Sequence, residues 1–159
     1  MQKIRTANPG DLPTILLMAE EFGHYFQEID PDSPPLDRAK MEHSLNRLCF
    51  GPQPLIHALI AEQDGAPAGY ALYNFSFWTD TLEGSVYLTS LFIRPGARGL
   101  GWGERFMARL DQIGRDAGCG RVMWNVWDRN TPAISFYEKL GAALIADEPI
   151  MFRPIPGAE

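Results

Sequence analysis

The chain has 159 residues, 45% hydrophobic and 21% charged, with a formal net charge of −6. That length buries one substantial core, and the composition excludes a disordered or low-complexity chain. The acidic balance excludes a nucleic-acid partner, which needs a basic stripe, and no apolar run approaches the length that crosses a bilayer.

In chain order, Lys3 to Ala7 reads as a short strand, broken by Asn8-Pro9-Gly10-Asp11. Asp11 is expected to cap a helix with Pro13 in its first turn. Ile15, Leu16, Met18, Ala19, Phe22 and Phe26 keep helical spacing through about Gln27. A breaker-rich loop, Asp30 to Pro35, precedes a second helix from Asp37 to about Cys49. Leu55 to Glu62 and Pro67 to Phe77 read as two strands around an Asp64-Gly65 hairpin turn, and Trp78 to Gly84 connects them to the next strand.

That strand, Val86 to Ile93, is β-branched, aromatic or aliphatic along most of its length and is ended by Arg94-Pro95-Gly96. Arg98-Gly99-Leu100-Gly101-Trp102-Gly103 follows, and then a helix with Phe106, Leu110 and Ile113 on one face. A strand, a glycine-rich turn and a helix start form an anion site, because the first helical amides have no intrahelical partner and glycine leaves the backbone bare. The spacing G-x-G-x-G lacks the final gap of a dinucleotide fingerprint, and no lysine and hydroxyl follow Gly103 as a nucleotide P-loop requires. Gly118-Cys119-Gly120 stops the helix. Arg121 to Val126 is a further strand, and Asp128 to Pro132 caps a helix that carries Ala133, Phe136, Tyr137 and Leu140 up to Gly141. Ala142 to Ala146 and Ile150 to Ile155 read as two last strands. The order β-α-α-β-β-β-α-β-α-β-β predicts one mixed α/β domain over residues 1–159, with about seven strands and helices on both faces. The N-terminal residues lack the apolar core of a signal peptide, so the expected location is cytoplasmic. Cys49, Cys119 and the histidines show no metal-ligand spacing, and no metal is expected.

Two motifs carry a resemblance. R-x-x-G-x-G, with the additional Gly99, resembles the acyl-CoA pyrophosphate loop of the GCN5-related N-acetyltransferases. Asn130 to Ala142, read as N-x-x-A-x-x-F-Y-x-x-x-G-A, is similar to the segment after that family's fifth strand, in the right order and at the right separation. The segment from His57 to Ile93 is similar to the diamine and small-amine acetyltransferases within the family. The resemblance implies acetyl-CoA as co-substrate, with backbone groups of Phe92 and Ile93 on the pantetheine amides. It places the amides of Arg98, Gly99, Gly101 and Gly103 around the pyrophosphate, Asn130 on the pantetheine arm and Phe136 along the cofactor. The residues alone give Asn130 a second role as a helix N-cap and Phe136 a role in core packing. Tyr137 falls at the position of the family's general acid, which protonates the departing thiolate.

The small-amine enzymes usually carry Leu-Glu-Asp on the fourth strand, where this chain has Leu88-Thr89-Ser90. An unassisted hydroxyl is no base near neutral pH, so Thr89 is expected to hold a water that relays the proton to a carboxylate such as Glu28, Asp30 or Glu83, or to His24. Trp78, Tyr25 and Glu28 are the acceptor-pocket candidates, the aromatic rings for their affinity for ammonium groups. The implied activity is N-acetylation of a small primary amine, diamine-like or amino-acid-like, by direct attack. The alternatives are a peptide or protein N-acetyltransferase and a non-catalytic acyl-CoA sensor. The family also implies a possible homodimer.

Overall fold

The computed structural model describes residues 1–145, 150–151 and 153–155. The chain forms two compact units, Met1–Asn125 and Val126–Glu159. The first contains β1 (Gln2–Thr6), α1 (Leu12–Ile29), α2 (Arg38–Leu48), β2 (His57–Gln63), β3 (Ala66–Trp78), β4 (Glu83–Ile93), α3 (Trp102–Asp116) and β5 (Cys119–Trp124). Short 3-10 turns occupy Pro9–Asp11 and Pro95–Ala97, and the second unit contains α4 (Thr131–Lys139).

The sheet runs β1-β2-β3-β4-β5 in sequence order. Its first four strands pair antiparallel and β5 pairs parallel to β4, because α3 carries the chain back across the sheet between those two. The hairpin turn between β2 and β3 has positive φ at both Asp64 and Gly65, 52° and 84°, the backbone that keeps twisted strands together.

Alternation along the strands splits the core into two faces. Ala58, Ile60, Tyr70, Leu72 and Phe92 face α1, where they bury Leu12, Ile15, Leu16, Met18 and Ala19, with Leu45 of α2. Val86 faces the opposite way and meets Gly114 of α3, where a Cβ would approach its Cγ2 to 3.3 Å. Truncating a fully buried leucine such as Leu16 costs about 2–5 kcal/mol. Within the first unit, α1 and α2 therefore lie on one face of the sheet and α3 on the other, as expected.

Two expectations are corrected. Asp11 makes no cap bond to α1. Its carboxylate instead accepts from the Asn8 amide at 2.7 Å and from both terminal nitrogens of Arg5 at 2.7 and 2.8 Å. Arg5 also reaches Glu62, so this cluster ties the start of α1 to β1 and β2, and the guanidinium holds the Asp11 carboxyl below its ordinary value. The predicted seven strands are five among the described residues. Residues 142–145, 150–151 and 153–155 form no strand, and 146–149 and 152 lie outside the described residues. Leu144, Ile145, Ile150, Met151 and Ile155 are all exposed. Their β propensity has no buried face to act on, and propensity by itself does not pair a strand.

Candidate active site

The register of β4 shapes the site. Tyr73 of β3 pairs with Leu88 and Leu72 pairs with Ser90, so Thr89 is the extra residue of a bulge. Leu88 and Leu91 lie opposite Tyr73 and Ala71, which share one face of β3. The two residues between them, Thr89 and Ser90, therefore both project from the α1 face. Thr89 is exposed, and its hydroxyl donates to the Leu72 carbonyl at 3.0 Å. Its oxygen lone pairs remain free to accept from a water or an amine. Ser90 donates to the Tyr70 hydroxyl at 3.2 Å, and burial pushes that phenol up to about 12. Where the small-amine pattern has two carboxylates, this site has hydroxyls already committed to the sheet.

β5 pairs with β4 only from Gly84 to Leu88, whereas β4 continues to Ile93. The ladder ends where β5 itself ends, at Trp124 opposite Leu88, so β4 runs on past Thr89 beyond the end of its parallel neighbour. Phe92 is buried against Phe22, 5.2 Å between ring centroids. The Ile93 carbonyl accepts from the Arg98 Nε at 3.2 Å.

After β4 the chain makes its 3-10 turn and reaches Gly99 and Gly101, both with positive φ, 75° and 77°. No heavy atom lies within 4 Å of a Cβ built at either position, so the backbone is open there. The Arg105 amide bonds to the Gly101 carbonyl at 3.2 Å, which leaves the first amides of α3, including that of Gly103, without helical acceptors. The amide of Arg98, expected in the cradle, donates instead to the Pro95 carbonyl at 3.2 Å. What Arg98 offers is its guanidinium, which lies 4.9 Å from the centre of the Tyr25 ring. Tyr25 therefore stands at the glycine loop. Open glycine backbone, free helical amides and an exposed guanidinium fit a diphosphate-bearing ligand.

The other candidates disperse. Glu28 and His24 are exposed on α1, and Asp30 accepts from the Ser33 hydroxyl at 3.1 Å. Trp78 lies on the α1 face of the sheet and meets a residue the sequence reading missed. Arg121 holds its guanidinium 5.8 Å from the Trp78 ring, donates from Nη2 to Thr81 at 2.9 Å and stands 3.5 Å from Glu83. A lone arginine in the apolar run RVMW was the available signal. Its neighbours depend on a register that local pattern does not reveal.

Within the second unit, Asn130 caps α4, accepting from the Ala133 amide at 3.3 Å. The Phe136 and Tyr137 rings meet edge to face with centroids 5.0 Å apart. Burial raises the Tyr137 phenol above its ordinary value, which keeps it protonated at neutral pH.

Elsewhere, a cleft of about 500 Å³ is bordered by Glu21, Gln63, Asp64, Pro67 and Arg94, and no expected site residue lines it. Among the described residues, no cluster of side chains is suited to hold a metal. No helix among them is long and apolar enough to cross a membrane.

The sequence profile of the Acetyltransferase (GNAT) family matches residues 16–142. A thialysine N-epsilon-acetyltransferase of Sus scrofa is 33% identical over 148 residues, covering 87% of this chain and 82% of that protein. A spermidine/spermine N(1)-acetyltransferase-like protein of Homo sapiens is 30% identical over 154 residues, covering 92% of this chain and 21% of that much longer one. A possible acetyltransferase from Clostridium difficile 630 superposes with a TM-score of 0.80 at 15% identity, over 98% of this chain and 99% of the other. At that identity the superposition establishes the fold.

Proposed function

The chain belongs to the acetyltransferase (GNAT) family and is an acetyl-CoA-dependent N-acetyltransferase; from that premise we propose that its acceptor is the primary amine of a small molecule, diamine-like or amino-acid-like, acetylated by direct attack. The observation that carries this reading is the bulge at Thr89, where β4 runs on past the end of β5 and presents the Thr89 and Ser90 hydroxyls on one face. The thialysine and spermidine/spermine relatives support a small amine as acceptor.

Bound acetyl-CoA supplies an acetyl group activated as a thioester. On the cofactor side, the backbone of Gly99, Gly101 and Gly103 and the Arg98 guanidinium hold the pyrophosphate, and backbone groups of Phe92 and Ile93 hold the pantetheine. Asn130 and Phe136 are assigned to the same ligand on their motif, beside the cap bond that Asn130 already makes. In the reaction the amine nitrogen bonds to the acetyl carbon and the carbon–sulfur bond breaks. The nitrogen loses a proton and the sulfur gains one.

Tyr137 gives the sulfur its proton. A phenol raised by burial is the protonated form an acid requires. The Thr89 oxygen, its own hydrogen committed to Leu72, accepts from the attacking amine or from a water that takes the amine's proton. With no carboxylate at residues 89 and 90, the amine is bound by hydroxyls and aromatic faces rather than by neutralisation.

The test is release of free thiol from acetyl-CoA against polyamines, diamines, amino acids, aminoglycosides and short peptides, with the product identified by mass spectrometry. Turnover on a diamine or amino acid is expected. Turnover confined to peptides would overturn the small-amine assignment.

A further inference from the structure

Two arginines flank the 3-10 turn between β4 and the glycine loop, Arg94 before it and Arg98 after it. Both are met by α1, in different ways. Glu21, Phe22 and Tyr25 share one face of the helix, since residues three and four apart are neighbours on its surface. The Glu21 carboxylate accepts from Arg94 Nε at 3.0 Å and from Nη2 at 2.7 Å, and the Pro67 carbonyl accepts from Nη1 at 3.2 Å. Phe22 packs against Phe92, and Tyr25 stands at Arg98. One face of α1 is therefore fixed at three points on the segment from Phe92 to Arg98.

The donors of Arg94 are consumed by these contacts, whereas most of those of Arg98 are not. Among the described residues the Arg98 side chain makes a single hydrogen bond, from Nε to the Ile93 carbonyl at 3.2 Å, and it forms no salt bridge. Its cation lies over the Tyr25 ring, 4.9 Å from the centroid. A ring face attracts a guanidinium through its quadrupole and supplies neither an oxygen acceptor nor a negative charge. A carboxylate in the same place, as Glu21 is for Arg94, would compete with a phosphate for the donors. Nη1 and Nη2 of Arg98 keep theirs, on an exposed side chain that is nonetheless tied at two points. The platform is itself held. Tyr25 is half-buried, stacked on Phe22 with centroids 6.5 Å apart and edge-on to Phe26 at 6.2 Å.

We propose that Tyr25 is a positioning residue for acetyl-CoA, a platform that holds the Arg98 guanidinium at the glycine loop with two nitrogens free for the pyrophosphate. This rests on the assignment of Arg98 to the pyrophosphate made above and deepens it. The gain is pre-organisation. A free arginine gives up its rotamer freedom when it grips a ligand, a loss that corresponds to about two- to tenfold in affinity. An arginine already resting on a ring face has given up part of that freedom before the ligand arrives.

The experiment measures the Kd of coenzyme A by isothermal titration calorimetry, together with kcat and the KM values for acetyl-CoA and for the amine. Wild type, Y25F, Y25L, R98Q and the double variant Y25L/R98Q are compared. Leucine keeps apolar contact with Phe22 and Phe26, thermal unfolding checks that each variant is folded, and Y25M replaces Y25L if the leucine variant is not. Y25L is expected to weaken coenzyme A about three- to tenfold and to raise the acetyl-CoA KM by the same factor, with kcat and the amine KM within about twofold. Y25F, which keeps the ring, is expected to restore binding. In the R98Q background Y25L is expected to add no further loss. A Y25L that binds coenzyme A like wild type, a Y25F as weak as Y25L, or a Y25L whose loss is as large without Arg98 as with it overturns the platform and leaves the Arg98 assignment standing. A Y25L that raises the amine KM instead also overturns it and returns Tyr25 to the acceptor pocket. An R98Q that binds coenzyme A as tightly as wild type overturns the Arg98 assignment, and the platform with it.

Discussion

The glycine loop from Arg98 to Gly103 and the α1 face of β4 are two halves of one proposed chemistry, built on opposite principles. The loop acts through backbone. Gly99 and Gly101 hold positive φ with open space where side chains would stand, and the first amides of α3 have no acceptor within the helix. The β4 face acts through side chains brought together by register, with Thr89 and Ser90 side by side because a bulge removes the alternation between them. Backbone sites tolerate little change of residue type at their glycines. Side-chain sites can change their ligand while the scaffold stays intact, as the hydroxyls at residues 89 and 90 illustrate.

Substitutions on each side sharpen this contrast, and the largest effect is expected from the loss of a single side-chain oxygen. Tyr137→Phe should lower kcat by about a hundredfold or more while the acetyl-CoA KM stays within about twofold; an unchanged kcat would remove the acid role. Because burial raises this phenol, the active protonated form persists up to its shifted pKa. The wild-type kcat should therefore decline only above the ordinary phenol value of 10.0, and a pH profile falling well below it would point to another acid.

Next comes Gly101→Val, which should do the opposite. It is expected to raise the acetyl-CoA KM about tenfold or more by closing the approach to bare amides. It should also cost about 1–3 kcal/mol of stability, because valine is strained at φ 77°. Chemical denaturation and initial rates would report both; an unchanged KM would mean that the loop does not hold the pyrophosphate. Thr89→Val should lower kcat/KM for the amine about three- to tenfold with acetyl-CoA binding intact, and Thr89→Ser should restore it. A serine variant as impaired as the valine would shift the role from the hydroxyl to the shape of the bulge. The smallest effect is expected from Ser90→Ala, which removes one neutral hydrogen bond to Tyr70 and should cost about 1 kcal/mol of stability.

The same contrast accounts for what could be read from the chain. The loop was legible because its determinants are consecutive: a strand, a proline, spaced glycines and a helix face state a local geometry directly. The hairpin at Asp64-Gly65, the start of α2 at Asp37 and the stop at Gly118 were legible for the same reason. Arg121 was not, because its significance lies in standing beside Ser85, across a parallel pairing with a one-residue shift at Gly120. Tyr25 was expected at the acceptor and stands over Arg98, since the distance between α1 and the loop is fixed by packing, not by spacing along the chain. The last two strands, read from residues 142–146 and 150–155, rested on apolar residues of which Leu144, Ile145, Ile150, Met151 and Ile155 are exposed. Asp11 was claimed by Arg5, a competitor invisible until β1 and the start of α1 are placed side by side.

The bulge at Thr89 has a consequence for redesign. Two successive positions of β4 point the same way while Leu88 and Leu91 stay on the far face, so residues 89 and 90 form an adjacent pair on one surface. Exchanging them for other polar residues alters the charge presented on that surface without disturbing the core on the α3 face or the glycine loop. An enzyme with such a pair can be retuned from one amine to another in two neighbouring codons, and a library confined to those codons is a small and well-aimed starting point for engineering acceptor choice.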